Sequence, residues 1–320
     1  MIQKIQQIPQ KVHFVTVTEK SESQRIDNFL LRYLKPIAKS YVYRIIRKGE
    51  VRVNKKRVKP EYKLCINDEI RIPPVRLPDK VKVVPADSLI SYLSTQIVFE
   101  NKELLVVNKP SGLAVHGGSG ISYGLIEALR KLYGDEQFLE LVHRLDRDTS
   151  GCILVAKKRS ALVHFHEQIR TNRINKTYLA LLCGQWKGEK EKVVDLPLIK
   201  NTLKSGERIV TVDSQGKKSK SIFKLKQSFN EHTYSEIQII SGRTHQIRVH
   251  GQSIGLPVAG DSKYGNFSCN QKLKKLGLKR LFLHSSQLTL KLPGENKNTT
   301  FNAHLSDELE NFISTKGASL

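Results

Sequence analysis

Apolar residues recur with two different periods along this chain of 320 residues, and the change of period divides it. Near the start, Ile26, Phe29, Leu30 and Tyr33 stand three and four apart, the spacing of one helix face. Val42, Ile45 and Ile46 repeat that spacing after a candidate N-cap at Ser40, and Gly49 is a fitting stop. The stretch "EVRVNKKRV" then alternates and turns around Asn54, which predicts a short hairpin. From Gln96 onward "FKLKQSF", "SEIQIIS" and "LTLKL" alternate apolar with polar, the mark of antiparallel strands with one wet face. "CILVA" is an unbroken apolar run suited to a central strand, and helices are expected near Tyr123–Tyr133 and Ser160–Arg170.

These patterns predict an α+β protein: a small domain of two helices and a hairpin, then a larger domain built on a mainly antiparallel mixed sheet with flanking helices. The expected boundaries are an N-terminal arm over 1–20, the small domain over 21–76, a linker over 77–95, the large domain over 96–310 and a tail over 311–320. The linker is placed by four prolines between Pro73 and Pro85. No segment approaches the roughly 18 to 20 apolar residues of a membrane span. The opening "MIQKIQQIPQKVHF" lacks the apolar core of a signal peptide, so a cytoplasmic protein with no membrane partner is expected. Cys65, Cys152, Cys183 and Cys269 form no CxxC pair or disulfide framework, and reduced thiols are the expectation.

Charge sharpens the picture. A formal charge of +24 points to a polyanionic partner, nucleic acid before an anionic membrane surface. Between Lys39 and Lys63 stand ten Lys or Arg against two Glu. Arg44, Arg47 and Lys48 share one exposed face of the second helix, and Lys55, Lys56 and Arg57 on the hairpin extend it.

Candidate chemistry concentrates in "LVHRLDRDTSG". If that loop is extended, Arg144, Asp146 and Asp148 share one side. A neighbouring arginine depresses a carboxylate pKa by about 1 to 3 units, so Asp146 is expected ionised, as suits a nucleophile or base. A tight turn with solvated arginines would explain the same residues. A phosphatase-type D-x-D-x-T would follow a long apolar strand, whereas "VHRL" comes first here. "HGGSG" before a helix could hold a phosphate on its amides or be a flexible turn. His164 and His166 are two apart, a poor spacing for a metal on a helix. Tyr178 enters an apolar strand. In "SGRTHQIRVH", Arg243, His245, Arg248 and His250 suggest a cationic wall, with His245 and His250 facing opposite ways if it is a strand.

Taken together, "HRLDRDTSG", "NKPSGLAVHGG", "KTYLAL", "GRTHQIRVH" and "LFLH" resemble, in order and spacing, the pseudouridine synthases of the RluA superfamily. The segment from "QRIDNFL" to "KPEYKL" resembles an S4 RNA-binding domain, and the likeness runs from about Gln24 to Ala303. The resemblance implies isomerisation of specific uridines to pseudouridine in large-subunit (23S) ribosomal RNA, with base flipping and without cofactor or metal, by a monomer. It implies that Asp146 is catalytic, that Arg144 enters the RNA where the base leaves, that Tyr178 stacks on the flipped uracil and that Arg248 pairs with Asp146. Arg243, His245 and His116 are implied as nearby contacts. The alternative is a non-catalytic S4-type ribosome-assembly factor, which has no need of the Asp146, Tyr178 and Arg248 set.

Overall fold

The computed structural model describes residues 11–34, 37, 39–75, 85–118, 121–134, 136–202 and 208–316. The chain forms two compact units, residues 1–82 and 83–320.

In the first unit β1 (His13–Thr16), α1 (Ile26–Tyr33), α2 (Lys39–Arg47), β2 (Arg52–Val53), β3 (Lys56–Arg57) and β4 (Glu69–Ile72) follow in order. The four strands pair antiparallel in the order β1-β4-β2-β3. Ile26, Leu30, Val42 and Ile45 are fully buried, packed with Val53, Ile70 and Ile72 of the sheet. Helix spacing therefore reports a real core stripe. Asn54 and Lys55 both take positive φ, 47° and 66°, as a two-residue hairpin turn of the primed kind requires. The Asn54 side chain donates to Asp68 Oδ1 at 2.7 Å and accepts from the Glu69 amide at 2.9 Å, which ties the turn to β4. β1 lies inside the stretch expected as an arm: its backbone pairs with β4, so it belongs to this sheet.

The second unit contains α3 (Asp87–Thr95), β5 (Ile97–Glu100), β6 (Leu104–Lys109), α4 (Leu125–Tyr133), β7 (Glu140–Leu141), β8 (Ser150–Ala156), α5 (Arg159–Arg170) and β9 (Asn175–Cys183). It continues with β10 (Glu191–Asp195), β11 (Leu198–Thr202), β12 (Arg208–Val212), β13 (Lys220–Ser228), β14 (His232–Ile239) and α6 (Gln246–Ser253). α7 (Phe267–Lys275), β15 (Leu283–Lys291), β16 (Asn298–Asn302) and α8 (Asp307–Lys316) complete it. The main sheet runs β10-β13-β14-β9-β15-β8-β6-β5, with β16 on β15 and β7 on β8. Its pairs are antiparallel except β8 with β15. β11 and β12 form a separate two-stranded arm.

"CILVA" is central, as its composition predicts. Ile153 and Val155 join one buried cluster and Cys152, Leu154 and Ala156 another, so both faces of β8 are covered and the run need not alternate. At the start of β8 the backbone of Ser285 comes so close that a Cβ on Gly151 would collide with it, and Gly151 takes φ 109°. Only glycine fits there.

Three expectations need amendment. The stretch expected as a linker ends in α3, which packs beside α4; residues 77–84 of that stretch lie outside the described residues. α8 runs into the expected tail. Cys183 and Cys269 are joined in a disulfide rather than standing as reduced thiols, while Cys65 and Cys152 are free. They are 86 residues apart, and only the approach of α7 to the end of β9 brings their Cα atoms to 6.3 Å. No spacing rule could have paired them.

Candidate active site

Asp146 stands in the loop between β7 and β8, and the end of β6 with the chain just after it clamps that loop. Lys109, at the end of β6, is fully buried and gives its three ammonium protons to the carbonyls of Pro110, Leu113 and Arg147, at 2.8, 2.8 and 3.0 Å. Ser111 Oγ donates to the Asp148 carbonyl at 2.7 Å. Burial pushes the Lys109 pKa down to about 7 and the nearby Arg280 adds to this, while Asp148 and Asp146 oppose it. The three carbonyl acceptors also favour the ammonium. From the other side His143 Nε2 accepts the Leu154 amide at 3.2 Å, and the Thr149 amide closes a turn on the Asp146 carbonyl. The carboxylate is thus held on a fixed backbone.

Asp146 faces a cavity of about 70 Å³ lined also by Arg144, Tyr178, His245, Arg248 and Leu283. Arg144 is exposed at its rim and makes no ion pair among the described residues. Tyr178, on β9, is only 7% exposed, and burial holds its phenol well above the ordinary range. It therefore presents a protonated hydroxyl and an apolar ring. Asp148 lines a different cavity, of about 1020 Å³, together with Lys109 and Arg280. The turn at Arg147 and Asp148 breaks the extended geometry that would have kept it beside Asp146.

The segment "GRTHQIRVH" is helical from Gln246, not a strand, so His245 and His250 are not on opposite faces of a sheet. His250 is buried, with Nδ1 against Ser221 Oγ at 2.9 Å and Nε2 against the Leu196 carbonyl at 3.0 Å. Its role is to seat the helix. Arg248, two residues earlier and so on the other side of α6, reaches Asp146 Oδ2 at 3.7 Å through one terminal nitrogen. Its short contacts are to Asp261 instead, Nε to Oδ2 at 2.6 Å and the other terminal nitrogen to Oδ1 at 2.7 Å. Burial is the largest influence and works against the Arg248 charge, but the Asp261 hydrogen bonds together with the nearby charges of Asp261 and Asp146 outweigh it, and the guanidinium pKa lies above its usual value. For Asp261 burial raises the pKa most, and the Arg248 bonds and charge together with the backbone amides more than reverse it. Amides of Lys263 and Tyr264 also donate to Asp261 Oδ1, satisfying the lone pairs that a buried ion pair must have satisfied. The Arg248 guanidinium lies 5.0 Å from the centre of the Tyr264 ring.

The structure therefore brings together Arg144, Asp146, Tyr178, His245 and Arg248 from three separate segments. Arg243 lies at the rim and donates to the Lys218 carbonyl at 3.2 Å. His116 is exposed and does not line the cavity. In "HGGSG" the Gly117 amide, with that of Gly124, donates to Glu127 Oε2, so the chain's own carboxylate takes the place of a phosphate there. Ser119 and Gly120 lie outside the described residues. His164 hydrogen-bonds the Lys291 carbonyl at 2.9 Å, a packing contact.

Asp261 and Tyr264 were not singled out from sequence. The available signal was an acidic residue between glycines after an apolar run, "LPVAGDSKYG", which is too weak to name a partner. The chain Arg280, Ser150, His284 was also missed. Arg280 donates to Ser150 Oγ at 2.6 Å, Ser150 Oγ meets His284 Nδ1 at 2.9 Å, and His284 Nε2 meets the Ala303 carbonyl at 3.0 Å. A carbonyl only accepts, so Nε2 carries the proton and Ser150 donates to Nδ1. Cys183, His232 and Cys269 gather their ligand atoms within 4.8 Å, but with the cysteines paired the group offers no thiolate to a metal.

In the first unit Arg44, Arg47 and Lys48 on α2 and Lys55, Lys56 and Arg57 on the hairpin are all exposed. The Arg57 side chain lies over Gly49, just past the end of α2, which joins the two groups into one basic surface. Arg44 also stacks its guanidinium 4.5 Å from the Tyr41 ring centre.

A family model described as RNA pseudouridylate synthase matches residues 103–253, and the S4 domain model matches residues 24–70. The chain is 52% identical over 308 residues to the ribosomal large subunit pseudouridine synthase C of Pasteurella multocida, covering 96% of this chain and 94% of that protein. It is 50% identical over 303 residues to the protein of the same name from Escherichia coli (strain K12), covering 93% and 95%. Among solved structures, human RNA pseudouridylate synthase domain containing 4 matches with a TM-score of 0.58 at 28% identity, over 71% of this chain and 95% of that one.

Proposed function

The chain belongs to the RluA superfamily of RNA pseudouridine synthases, in the form that carries an S4 domain, and from that premise we propose that it isomerises specific uridines of 23S ribosomal RNA with Asp146 as the catalytic carboxylate. One observation carries the residue assignment. A single carboxylate, Asp146, faces a narrow cavity between a buried aromatic ring, Tyr178, and a fixed cation, Arg248.

That arrangement suits a flipped base. Extrusion costs roughly a few kcal/mol, and an exposed Arg144 at the rim can occupy the space the base leaves. Stacking on an aromatic returns roughly 1 to 3 kcal/mol. In the reaction the N1–C1′ bond breaks, the uracil turns, C5 bonds to C1′ and the C5 proton leaves, N1 gaining one. Atoms and electrons balance without an external reactant. Asp146 acts at the ribose–base linkage, and Arg248 keeps a positive charge beside it. The basic face of the first unit supplies sequence-independent attraction to RNA phosphates. On this reading the enzyme meets its ribosomal RNA substrate in the cytoplasm.

The test is to map pseudouridines in ribosomal RNA from cells lacking the protein, complemented with the unaltered chain or with Asp146→Asn. The unaltered chain restores defined 23S positions and Asp146→Asn restores none while binding the RNA undiminished. Restoration by Asp146→Asn would remove the catalytic assignment. An RNA with no position dependent on the protein would leave the assembly-factor reading.

A further inference from the structure

His245 combines three features that the proposed reaction has not used. It is the residue before α6, with φ 54° and ψ 19°, a left-handed conformation uncommon for any side chain but glycine. Holding such a backbone is costly, and the cost is tolerated where it aims a group. Its Nε2 stands 3.8 Å from Asp146 Oδ2, and its Nδ1 is 2.8 Å from Tyr264 Oη.

The partners favour one arrangement of protons. The Val210 amide, on β12, donates to Tyr264 Oη at 2.9 Å, and an amide can do nothing else. With that lone pair used, the Tyr264 hydroxyl proton is free to go to His245 Nδ1. Nδ1 then accepts, so the ring's own proton sits on Nε2, the nitrogen that faces Asp146. The order of donors is Val210 to Tyr264 to His245 to Asp146. Tyr264 is only 3% exposed and packs with Val210, Leu198 and Val249, so the first links of this chain are rigid.

We propose that His245 is a positioning residue for Asp146: neutral and locked by Tyr264 as the Nε2–H tautomer, it aims one N–H at the catalytic carboxylate and so fixes which oxygen remains for the substrate. The proposal rests on the reading of Asp146 as the catalytic carboxylate. A separation of 3.8 Å is beyond a hydrogen bond, and such contacts commonly tighten when substrate closes the site. The charged and titratable groups around the ring are Asp146, Arg248, Lys263, Asp261 and Tyr264. Burial holds the imidazole below its ordinary range, Asp146 opposes this, and Arg248 and Lys263 reinforce it, all consistent with a neutral ring. Protonation would put a donor on Nδ1 facing the Tyr264 proton and undo the lock.

The backbone conformation makes His245→Gly a tolerable variant, since glycine takes positive φ without strain and so offsets part of the cost of the lost ring contacts and the added freedom of the unfolded chain; a melting curve checks that the variant is folded at the assay temperature. Single-turnover isomerisation of a ribosomal RNA fragment should fall roughly 10- to 100-fold, the effect of losing one hydrogen bond to a charged group. Imidazole added to His245→Gly should restore part of the rate and N-methylimidazole should not, because only the former keeps an N–H after accepting from Tyr264. Tyr264→Phe should slow the reaction and shift the acid limb of its pH profile, with no further loss when combined with His245→Gly. Independently of activity, ¹⁵N spectra of the His245 ring should show the proton on Nε2 and should shift in Asp146→Asn. A proton on Nδ1, a wild-type rate in His245→Gly, or equal rescue by the two imidazoles would overturn the proposal. An inactive unaltered chain whose ring spectrum is as described would instead sink the reading of the reaction and leave the tautomer standing.

Discussion

Arg248 spends its two short hydrogen bonds on Asp261, at 2.6 and 2.7 Å, and only approaches Asp146, at 3.7 Å. The cation beside the candidate catalytic carboxylate is therefore neutralised and aimed by a second carboxylate. Asp146 gains an adjacent charge without a bond that would have to break before it can act.

Asp261→Asn should accordingly destabilise the second unit by about 3 to 5 kcal/mol, because it leaves the Arg248 charge buried without its partner. Adding Arg248→Met to it should recover much of that stability by removing the orphaned charge. The double variant should stay inactive. Denaturant unfolding and isomerisation rates together check this; recovered activity in the double variant would mean that Arg248 matters only for packing.

Tyr178 can be divided into ring and hydroxyl. Its ring offers a stacking surface, and burial keeps its hydroxyl protonated, so it can donate but not act as a base at neutral pH. Tyr178→Phe should bind and flip the uridine as before while turnover drops by about 100-fold or more, the usual range for a proton-handling group. Tyr178→Ala should lose turnover and part of the binding as well. Full turnover in Tyr178→Phe would leave only the stacking role.

Salt dependence tests the first unit. Affinity should fall steeply with salt, with a slope of about −0.7 per neutralised phosphate on single strands. Replacing Arg47, Lys55 and Lys56 by Glu should weaken binding and flatten the slope, since all three are exposed on one surface. The measurement is a filter-binding or fluorescence titration at several salt concentrations, and an unchanged slope would move the RNA path away from this face.

Acid should destabilise the fold through His143 and His284. Burial pushes both down to about 4, against about 6.5 in an unfolded chain. The unfolded state therefore takes up protons first as pH falls. Stability from these groups is complete above about 6.5 and is lost progressively towards 4, on the order of 3 kcal/mol for His284. Unfolding curves at pH 7 and pH 5 should show the loss, and His284→Gln should make the two curves closer. A larger gap in that variant would contradict the assignment.

Much of this was legible in the chain. Ile26, Leu30, Val42 and Ile45 marked their helices because one face of each meets the sheet, and "HRLD" marked the site by its density of ionisable groups. The strands around Phe223 and Ile237 alternated because one face is wet. Arg248 was expected to pair with Asp146 and stands 3.7 Å from it, but its close partner Asp261 was invisible because it lies thirteen residues further on, past the end of α6. His245 was misread with its segment, since a helix that opens on a left-handed residue has no periodic signature. The Cys183–Cys269 pair and the separation of Asp148 from Asp146 depend on approaches between distant segments. Such contacts have no local pattern to read.

Lys109 places a constraint on how this chain can vary. Its ammonium is a point donor with three protons converging on three carbonyls, and those carbonyls belong to the two loops that frame Asp146. A guanidinium is planar and longer, and cannot direct its protons to that one point. Methionine would fill the space and leave three oxygens facing each other. Neither charge nor size alone is what the position requires, so a substitution usually counted as mild, Lys109→Arg, should be as damaging here as an apolar one. A chain of this fold without Lys109 would need both loops redrawn at once to satisfy those carbonyls.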